Sequence, residues 1–188
     1  MNLSNSQIEW GAVAKLLHWT IAVLIVGLAA AGLFMVRLDA SPQKFEIYAL
    51  HKATGIVVLG LMALRLVWRF VNPTPALPTD MTGLERFLAH ATHWALYAIA
   101  LALPLSGWIM SSAADFPVSM YGWVTLPDLV GPDEDLTELA GTVHEILSKI
   151  LIGLFVLHVL AALKHHYVET DTTLLRMLPG RLGASQTK

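Results

Sequence analysis

Four long apolar segments, separated by polar and proline-containing stretches, dominate the hydrophobic pattern of this chain. They predict helices at about 14–37, 47–71, 90–112 and 142–168. Each segment reaches or approaches the roughly 20 apolar residues that a helix needs to cross a bilayer. Each is apolar around its whole circumference, whereas a soluble helix is apolar on one stripe only. The pattern therefore predicts an all-α integral membrane four-helix bundle that occupies residues 1–188 as a single domain.

The connecting stretches support these helix assignments. The two shorter connectors contain turn formers and prolines, which do not continue a helix. The segment 113–141 contains three further prolines and is predicted to be a long periplasmic loop, and residues 169–188 are predicted to form a surface C-terminal tail. Thr137 and Thr142 precede helix four, and either side chain is suited to cap it.

Composition agrees with a membrane protein and excludes several kinds of site. Hydrophobic residues make up 55% of the chain and charged residues 14%, which is below the roughly 25% of a soluble domain. The mean hydropathy is +0.60. Because the chain has no cysteine, it has no disulfide, no thiolate metal site, no iron–sulfur cluster ligand and no covalent c-type haem attachment.

The distribution of lysine and arginine predicts the orientation of the bundle. Four spans place both termini on the same side of the membrane. Eight of the 12 basic residues fall on that side: Lys15, Arg65, Arg69, Arg86, Lys164, Arg176, Arg181 and Lys188. The other four fall on the opposite side: Arg37, Lys44, Lys52 and Lys149. By the positive-inside rule, both termini are expected in the cytoplasm.

Four histidines lie inside the predicted spans at matching depths. His144 and His158 are fourteen residues apart in one helix, which corresponds to about 21 Å of rise and to directions within about 40° of each other. His18 lies level with His158 on the cytoplasmic side, and His51 lies level with His144 on the outer side. The spacing predicts two pairs of imidazoles at two depths of one bundle, where cofactors bind.

A b-type haem is the cofactor that best suits two facing histidines. Zinc requires three or four ligands in a tetrahedral arrangement, and these pairs have no nearby acidic or thiolate group to complete one. We therefore expect two haem b groups, although a structural or interfacial role for the histidines is the simpler alternative. Arg65, fourteen residues after His51, is well placed for a propionate of the inner haem. Lys52 and Lys149 are candidates for binding a propionate of the outer haem. Alternatively, their side chains extend outward to the membrane interface.

Further polar residues lie near the cytoplasmic surface. His90 and His93 lie in the first turns of the predicted helix three. For both, a ring hydrated at the membrane interface is the favoured interpretation, and a role in quinone binding or proton transfer remains open for His93. Near the end of helix four, His165 and His166 are suited to lipid headgroup contact or to quinone and proton chemistry. The quinone and proton candidates are therefore His93, Lys164, His165 and His166.

Six stretches of the sequence together resemble the bacterial cytochrome b561 family of small four-helix di-haem membrane cytochromes. They cover nearly the whole chain: LLHWTIA (16–22), LHKATGI (50–56), RLVWRFVNPTP (65–75), HWALYAIALALPLSGWIMSSA (93–113), VHEIL (143–147) and LHVLAALKHHYVETDTTLLRMLP (157–179). The resemblance implies a bacterial inner-membrane protein with two bis-histidine haems. It assigns His18 and His158 to the inner haem iron and His51 and His144 to the outer one, in agreement with the depth argument.

The resemblance also implies transmembrane electron transfer. At least one family member resembles a superoxide oxidase, which takes electrons from superoxide at the periplasmic face and passes them to ubiquinone, so we expect a superoxide:quinone oxidoreductase. Superoxide is an anion, and a positive approach path raises its arrival rate. The candidates for such a path are Arg37, Lys44, Lys52 and Lys149, whereas the acidic run at 133–138 would repel superoxide.

Two other functions remain open. The chain is alternatively a cytochrome b relay subunit that links the quinone pool to a periplasmic dehydrogenase or other redox partner, docked by the acidic loop. A haem-free transporter or structural bundle is the third hypothesis. The expected partners are membrane lipid, quinone and either superoxide or a periplasmic redox protein, and no nucleic acid.

Overall fold

The computed structural model describes residues 2–179 and contains four long helices. They are α1 (Ala12–Met35), α2 (Pro42–Val71), α3 (Gly83–Ala113) and α4 (Glu134–Tyr167), with 24, 30, 31 and 34 residues. All four are long and apolar enough to cross a membrane, which confirms the all-α membrane four-helix bundle. Arg181, Lys188 and the last part of the predicted tail lie outside the described residues.

Two helices begin several residues before their first apolar turn. α2 starts at Pro42, five residues earlier than predicted, because the Ser41 hydroxyl accepts a backbone N–H of the first turn and proline suits that turn. α3 starts at Gly83, seven residues earlier than predicted, because Thr82 and Glu85 cap each other's backbone N–H groups. Hydropathy marks where lipid begins, whereas a helix begins at its cap.

α4 also begins earlier than predicted, by eight residues. Neither Thr137 nor Thr142 is its cap. The Asp133 carboxylate caps the helix by accepting the Leu136 N–H at 2.9 Å. The polar run that was assigned to the loop therefore forms the first turns of α4, starting at Glu134.

A short antiparallel hairpin lies within the predicted periplasmic loop. β1 (Ser119–Met120) pairs with β2 (Val124–Thr125). The turn between the strands uses Tyr121 and Gly122, whose φ angles are 54° and 81°. Glycine adopts this conformation freely and tyrosine rarely does, so Tyr121 needs a fixing contact. Its hydroxyl lies 3.0 Å from the Thr54 hydroxyl on α2, which ties the hairpin to the bundle.

The largest buried cluster among the described residues joins α1, α2 and α3. A cluster of buried side chains from α1, α2 and α3 consists of Leu17, Ile21, Val58, Met62, Tyr97 and Ala100. Close backbone packing joins α1 to α2, α2 to α3 and α3 to α4, but within residues 2–179 it does not join α4 to α1 or α2. α4 therefore rests mainly on α3, and side chains alone meet between α4 and the first two helices.

Three chain segments meet at the end of the bundle that holds both termini, which we call the terminal end; the opposite end, with the hairpin, is the loop end. The Arg176 guanidinium donates to the Ala76 carbonyl at 3.0 Å, which joins the C-terminal tail to the α2–α3 connector. The Trp19 indole N–H donates to the Met177 carbonyl at 2.8 Å. These contacts hold the short 3₁₀ turn Leu175–Met177 against the bundle.

Candidate functional site

Three imidazoles meet near the terminal end of the bundle. His18 of α1 and His158 of α4 have ring centroids 6.2 Å apart and ring planes at 70°. His93 of α3 adds a third ring, with its centroid 5.4 Å from that of His158. The structure thus places His93 against the predicted inner pair and leaves His90 exposed.

A second histidine pair lies toward the loop end. His51 of α2 and His144 of α4 have ring centroids 6.4 Å apart and ring planes at 68°. The structure therefore brings together both pairs that the depth argument predicted. α4 contributes one histidine to each pair, and the fourteen-residue spacing between them corresponds to about 21 Å along the helix.

Hydrogen bonds at α3 set the tautomer of His144. Its Nδ1 lies 3.1 Å from the Leu103 carbonyl and 3.1 Å from the Ser106 hydroxyl. The Ser106 hydroxyl itself donates to the Leu103 carbonyl at 2.7 Å. An Nδ1–H that donates to the carbonyl leaves Nε2 with its lone pair, which is the usual arrangement of a metal-binding histidine. The sequence analysis did not identify these two residues as partners of His144.

Gly107 gives the His144 ring its space. A Cβ at position 107 would lie 3.1 Å from Cε1 and 3.2 Å from Nδ1 of His144, which is closer than ordinary packing allows. A side chain at this position would therefore displace the ring. The stretch Pro104–Gly107, with serine and glycine after a proline inside an apolar helix, is the sequence feature that marks this contact.

Two buried nitrogens of the histidine pairs have no partner among the described residues. The Nδ1 atoms of His18 and His51 are both buried and form no hydrogen bond within residues 2–179. Buried polar atoms in proteins are nearly always paired, and each exception requires an explanation. Both of these exceptions belong to the two histidine pairs.

The family to which the chain belongs follows from comparison with known sequences. The model of the family described as "Prokaryotic cytochrome b561" matches residues 9–180. The chain belongs to the prokaryotic cytochrome b561 family. It is therefore a multi-pass membrane protein of a family of membrane cytochromes b, whose members bind b-type haem and transfer electrons.

Individual relatives align along most of their length. "Cytochrome b561 homolog 2" of Escherichia coli (strain K12) is 32% identical over 179 residues, which cover 95% of each chain. "Cytochrome b561 homolog 1" of the same organism is 32% identical and covers 88% of this chain and 94% of its own. "Probable superoxide oxidase CybB" of Yersinia pestis is 29% identical and covers 89% and 94%.

The geometry of both histidine pairs fits haem b. A metal–nitrogen bond is about 2 Å long, so two imidazoles on opposite sides of one iron have centroids roughly 6 Å apart. The observed separations are 6.2 Å and 6.4 Å. Each pair joins α4 to a helix against which α4 does not pack closely. The histidines therefore meet where the backbones of the two helices are apart. The donor set, the spacing and the helix arrangement thus agree with the family.

Arg65 lies at the inner histidines, as predicted, and has a partner that the sequence analysis missed. Its Nε donates to the Tyr97 hydroxyl at 3.2 Å, and its guanidinium carbon lies 5.5 Å from the centre of the Tyr97 ring. The charge of Arg65 is close enough to act on His18, His93 and His158. Tyr97 takes one of five guanidinium N–H groups, so the others are able to bind a carboxylate.

Three of the four predicted approach cations have separate partners, and the fourth is exposed. Lys52 donates to the Ser111 hydroxyl at 2.9 Å and to the carbonyls of Phe116 and Pro117 at 2.7 and 3.3 Å. Lys52 therefore anchors the loop after α3. The remaining three behave differently: Lys44 donates to the Leu38 carbonyl at 2.6 Å, Lys149 pairs with Glu145 at 2.6 Å, and Arg37 is exposed. These contacts do not link the four cations into one positive patch.

A charged cluster closes the terminal end of α4. Lys164 pairs with Glu85 of α3 at 2.8 Å and with Glu169 at 2.7 Å. His165 Nδ1 lies 2.5 Å from Glu169 Oε2 and 2.7 Å from Asp171 Oδ2. The structure thus brings together two of the predicted quinone and proton candidates, whereas His166 stacks edge-on against Tyr167 at 4.7 Å.

Proposed function

We propose that this chain is a di-haem cytochrome b of the bacterial inner membrane that oxidises superoxide at its outer face and reduces ubiquinone at its inner face. The observation that carries the proposal is the facing histidine pair at each of two depths. Two superoxide anions, two protons and one ubiquinone yield two dioxygen molecules and one ubiquinol, so atoms and charge balance. The Yersinia pestis relative named "Probable superoxide oxidase CybB" supports this choice of substrates.

The histidines set what reaction each centre allows. Haem b, when bound, supplies an iron that gains or loses one electron. His18 and His158 would hold the inner haem, and His51 and His144 would hold the outer one, each pair supplying two nitrogen ligands. These side chains thereby exclude direct ligation of superoxide or dioxygen and restrict each centre to electron transfer.

Other side chains serve the inner centre. The free N–H groups of Arg65 are assigned to a haem propionate, because Tyr97 holds the guanidinium beside the inner histidines. His93 is the remaining imidazole next to His158, and we assign it the contact with the quinone. The terminal end then faces the cytoplasm, from which the protons for the quinone come.

Rapid mixing with superoxide tests the proposal. Purified protein with oxidised haem is mixed with superoxide, and the visible haem bands are recorded with and without a short-chain ubiquinone. We expect haem reduction within milliseconds, followed by reoxidation only when the quinone is present. Replacing His51 by alanine should abolish the fast reduction, because it removes a ligand of the centre nearest the outer face. Reduction slower than the spontaneous dismutation of superoxide would refute this activity.

A relay subunit is the second candidate, and the acidic loop end favours it. The exposed carboxylates at the start of α4 are Asp133, Glu134, Asp135 and Glu138. Such a surface suits docking of a basic redox protein. Gentle purification from membranes distinguishes the two functions: a stoichiometric periplasmic redox partner that reduces the haems would favour the relay, and a lone chain that superoxide reduces would favour the oxidase.

A further inference from the structure

A third histidine continues the line of His144 and His158 along α4. His165 follows His158 by seven residues, which corresponds to about 10 Å of rise and a direction within about 20° of the same face. Its side chain is only 12% exposed, although it lies in the last turn of the helix. His165 therefore points into the terminal end of the bundle, beyond the inner pair.

Two carboxylates hold one nitrogen of this ring. His165 Nδ1 lies 2.5 Å from Glu169 Oε2 and 2.7 Å from Asp171 Oδ2. Carboxylate oxygens only accept hydrogen bonds, so Nδ1 carries a proton. Nε2 is then the position at which the ring gains and loses a proton, and the carboxylates stabilise the charged form when it does.

The chain after α4 is folded to build this contact. Thr170 has a φ of 54°, which is uncommon for a residue with a side chain, and it turns the chain between Glu169 and Asp171. The Asp171 N–H donates to the His165 carbonyl at 3.0 Å, and the Thr173 N–H donates to Asp171 Oδ1 at 2.7 Å. Burial acts to raise the pKa of Asp171, but hydrogen bonds from Thr173 and His165 outweigh it and lower that pKa below its ordinary value.

One of the two carboxylates also reaches the aqueous surface. Glu169 is exposed, and its other oxygen, Oε1, pairs with Lys164 at 2.7 Å. Lys164 in turn pairs with Glu85 at 2.8 Å. Glu169 therefore links the buried imidazole to charged groups at the surface, while Asp171 keeps the ring oriented.

Hydrogen bonding explains the cluster better than a bound metal ion. Donor atoms of His165, Glu169 and Asp171 lie within 4.8 Å of one another, which is a spacing that also occurs in metal sites. The nitrogen–oxygen distances of 2.5 and 2.7 Å are those of charge-assisted hydrogen bonds. Ligand atoms around a metal with bonds of about 2 Å are separated by roughly 3 Å or more.

We infer that His165 is the proton donor to the quinone, and that Asp171 is its positioning residue. The inference rests on the proposed function. Nε2–H of the protonated His165 donates its proton to a quinone carbonyl oxygen as the quinone receives an electron, and Nε2 then takes a proton from water at the terminal end. Two such cycles supply the two protons of one ubiquinol, and the two electrons come from two superoxide anions.

Charged groups reach the imidazole from the tail, α4 and α3. Glu169 and Asp171 touch Nδ1 directly. Lys164 pairs with Glu169 and with Glu85 of α3, and Arg176 faces Asp171. Only these two groups touch Nδ1 among the described residues, so they are the groups to vary.

Reoxidation of prereduced haem by ubiquinone measures proton donation. For the intact protein we expect the rate to fall as the pH rises, because proton donation requires a protonated general acid. His165→Gln should slow reoxidation about 100-fold or more at the lower pH and remove this pH dependence, because a general acid contributes roughly 10²- to 10⁴-fold. Asp171→Asn, which preserves shape, should slow reoxidation about tenfold, because the ring loses its orienting charge.

A matched substitution and the first half-reaction provide the controls. His90→Gln replaces an exposed imidazole of α3 and should leave the rate and its pH dependence unchanged. Haem content and the reduction of haem by superoxide should be normal in all three variants. Normal reoxidation of His165→Gln, with the pH dependence of the intact protein, would overturn the inference alone. If quinone fails to reoxidise the intact protein, the proposed function fails too.

Chemical modification provides a readout that does not depend on activity. Diethyl pyrocarbonate modifies accessible imidazoles, and cleavage after Lys164 and Arg176 releases residues 165–176 for mass spectrometry. We expect a ubiquinone analogue to slow modification of His165 at least threefold and to leave His90 unchanged. Equal modification of His165 with and without the analogue would place the quinone elsewhere and refute the contact.

Discussion

At the scale of single residues, the absence of a side chain at Gly107 fixes the position of His144. We predict that Gly107→Ala displaces the ring by a few tenths of an ångström, because the added Cβ would lie 3.1 Å from Cε1. Overpacking of this kind costs about 1–3 kcal/mol. The outer haem should therefore be retained about five- to tenfold less well during dialysis against a haem acceptor, as measured by the visible spectrum.

Gly153→Ala is the matched control for this substitution. Gly153 lies nine residues after His144, on the opposite face of α4, and an added Cβ meets nothing within 4 Å. Haem retention should be unchanged there. Equal effects of the two substitutions would mean that helix propensity, and not contact with His144, determines the outcome.

The histidines themselves should separate the two centres. We predict that His18→Ala and His51→Ala each lower the haem content per chain by about half, because each removes one ligand of a different pair. The visible spectrum of the remaining haem should differ between the two variants, since His18→Ala retains the outer centre and His51→Ala retains the inner one. Haem extraction and low-temperature absorption spectra measure both quantities, with His90→Ala as the control.

The histidine pairs were predictable from the sequence, and their surroundings were not. Helix rise and rotation depend only on residue spacing, so they placed His144 and His158 on one face. Gly107 and Ser106 act on a histidine of another helix, and no pattern within α3 shows which side chain will lie against them. The position of His93 was missed for the same reason, since it depends on how α3 and α4 pack.

At the scale of the elements, Lys52 connects α2 to the loop after α3. We predict that Lys52→Met loosens residues 114–130, because it removes bonds to the Phe116 and Pro117 carbonyls. A charged hydrogen bond that is partly exposed contributes about 1 kcal/mol, which corresponds to about fivefold more opening. Limited proteolysis of the purified protein should therefore cleave this loop about five times faster.

Lys149→Met is the control for the loop experiment. Lys149 is highly exposed and pairs only with Glu145 of the same helix, so its loss should not alter proteolysis. Haem content should remain normal in both variants. An unchanged cleavage rate in Lys52→Met would mean that the hairpin contact between Tyr121 and Thr54 is sufficient to hold the loop.

Helix starts show the limit of hydropathy as a predictor of elements. The number and order of helices follow from apolar length, since lipid requires a minimum span. α3 and α4 extend beyond the apolar segments because Thr82 and Asp133 satisfy backbone groups in water. Thr137 and Thr142 were expected to cap α4, and composition alone did not identify Asp133 as the residue that does.

At the scale of the whole molecule, the orientation of the bundle is a prediction from charge. An even number of spans places both termini on one side, and most lysines and arginines lie on that side. We expect a phosphatase that is active only outside the cytoplasm to be inactive when fused after Pro179 and active when inserted at Gly122. The opposite result would reverse the assignment of the quinone and superoxide faces.

α4 contributes one histidine to each candidate centre, whereas α1 contributes one to the inner pair and α2 one to the outer pair. α4 also lies outside the buried cluster of the other three helices. A tilt or rotation of this helix consequently changes the geometry of His144 and His158 in concert, so the two midpoint potentials are tuned together by substitutions in α4. Independent tuning of one potential has to come from residues that contact one centre only, such as those of α1 or Ser106 and Gly107 of α3, and this constrains where natural variants that adapt the protein to a new electron donor arise.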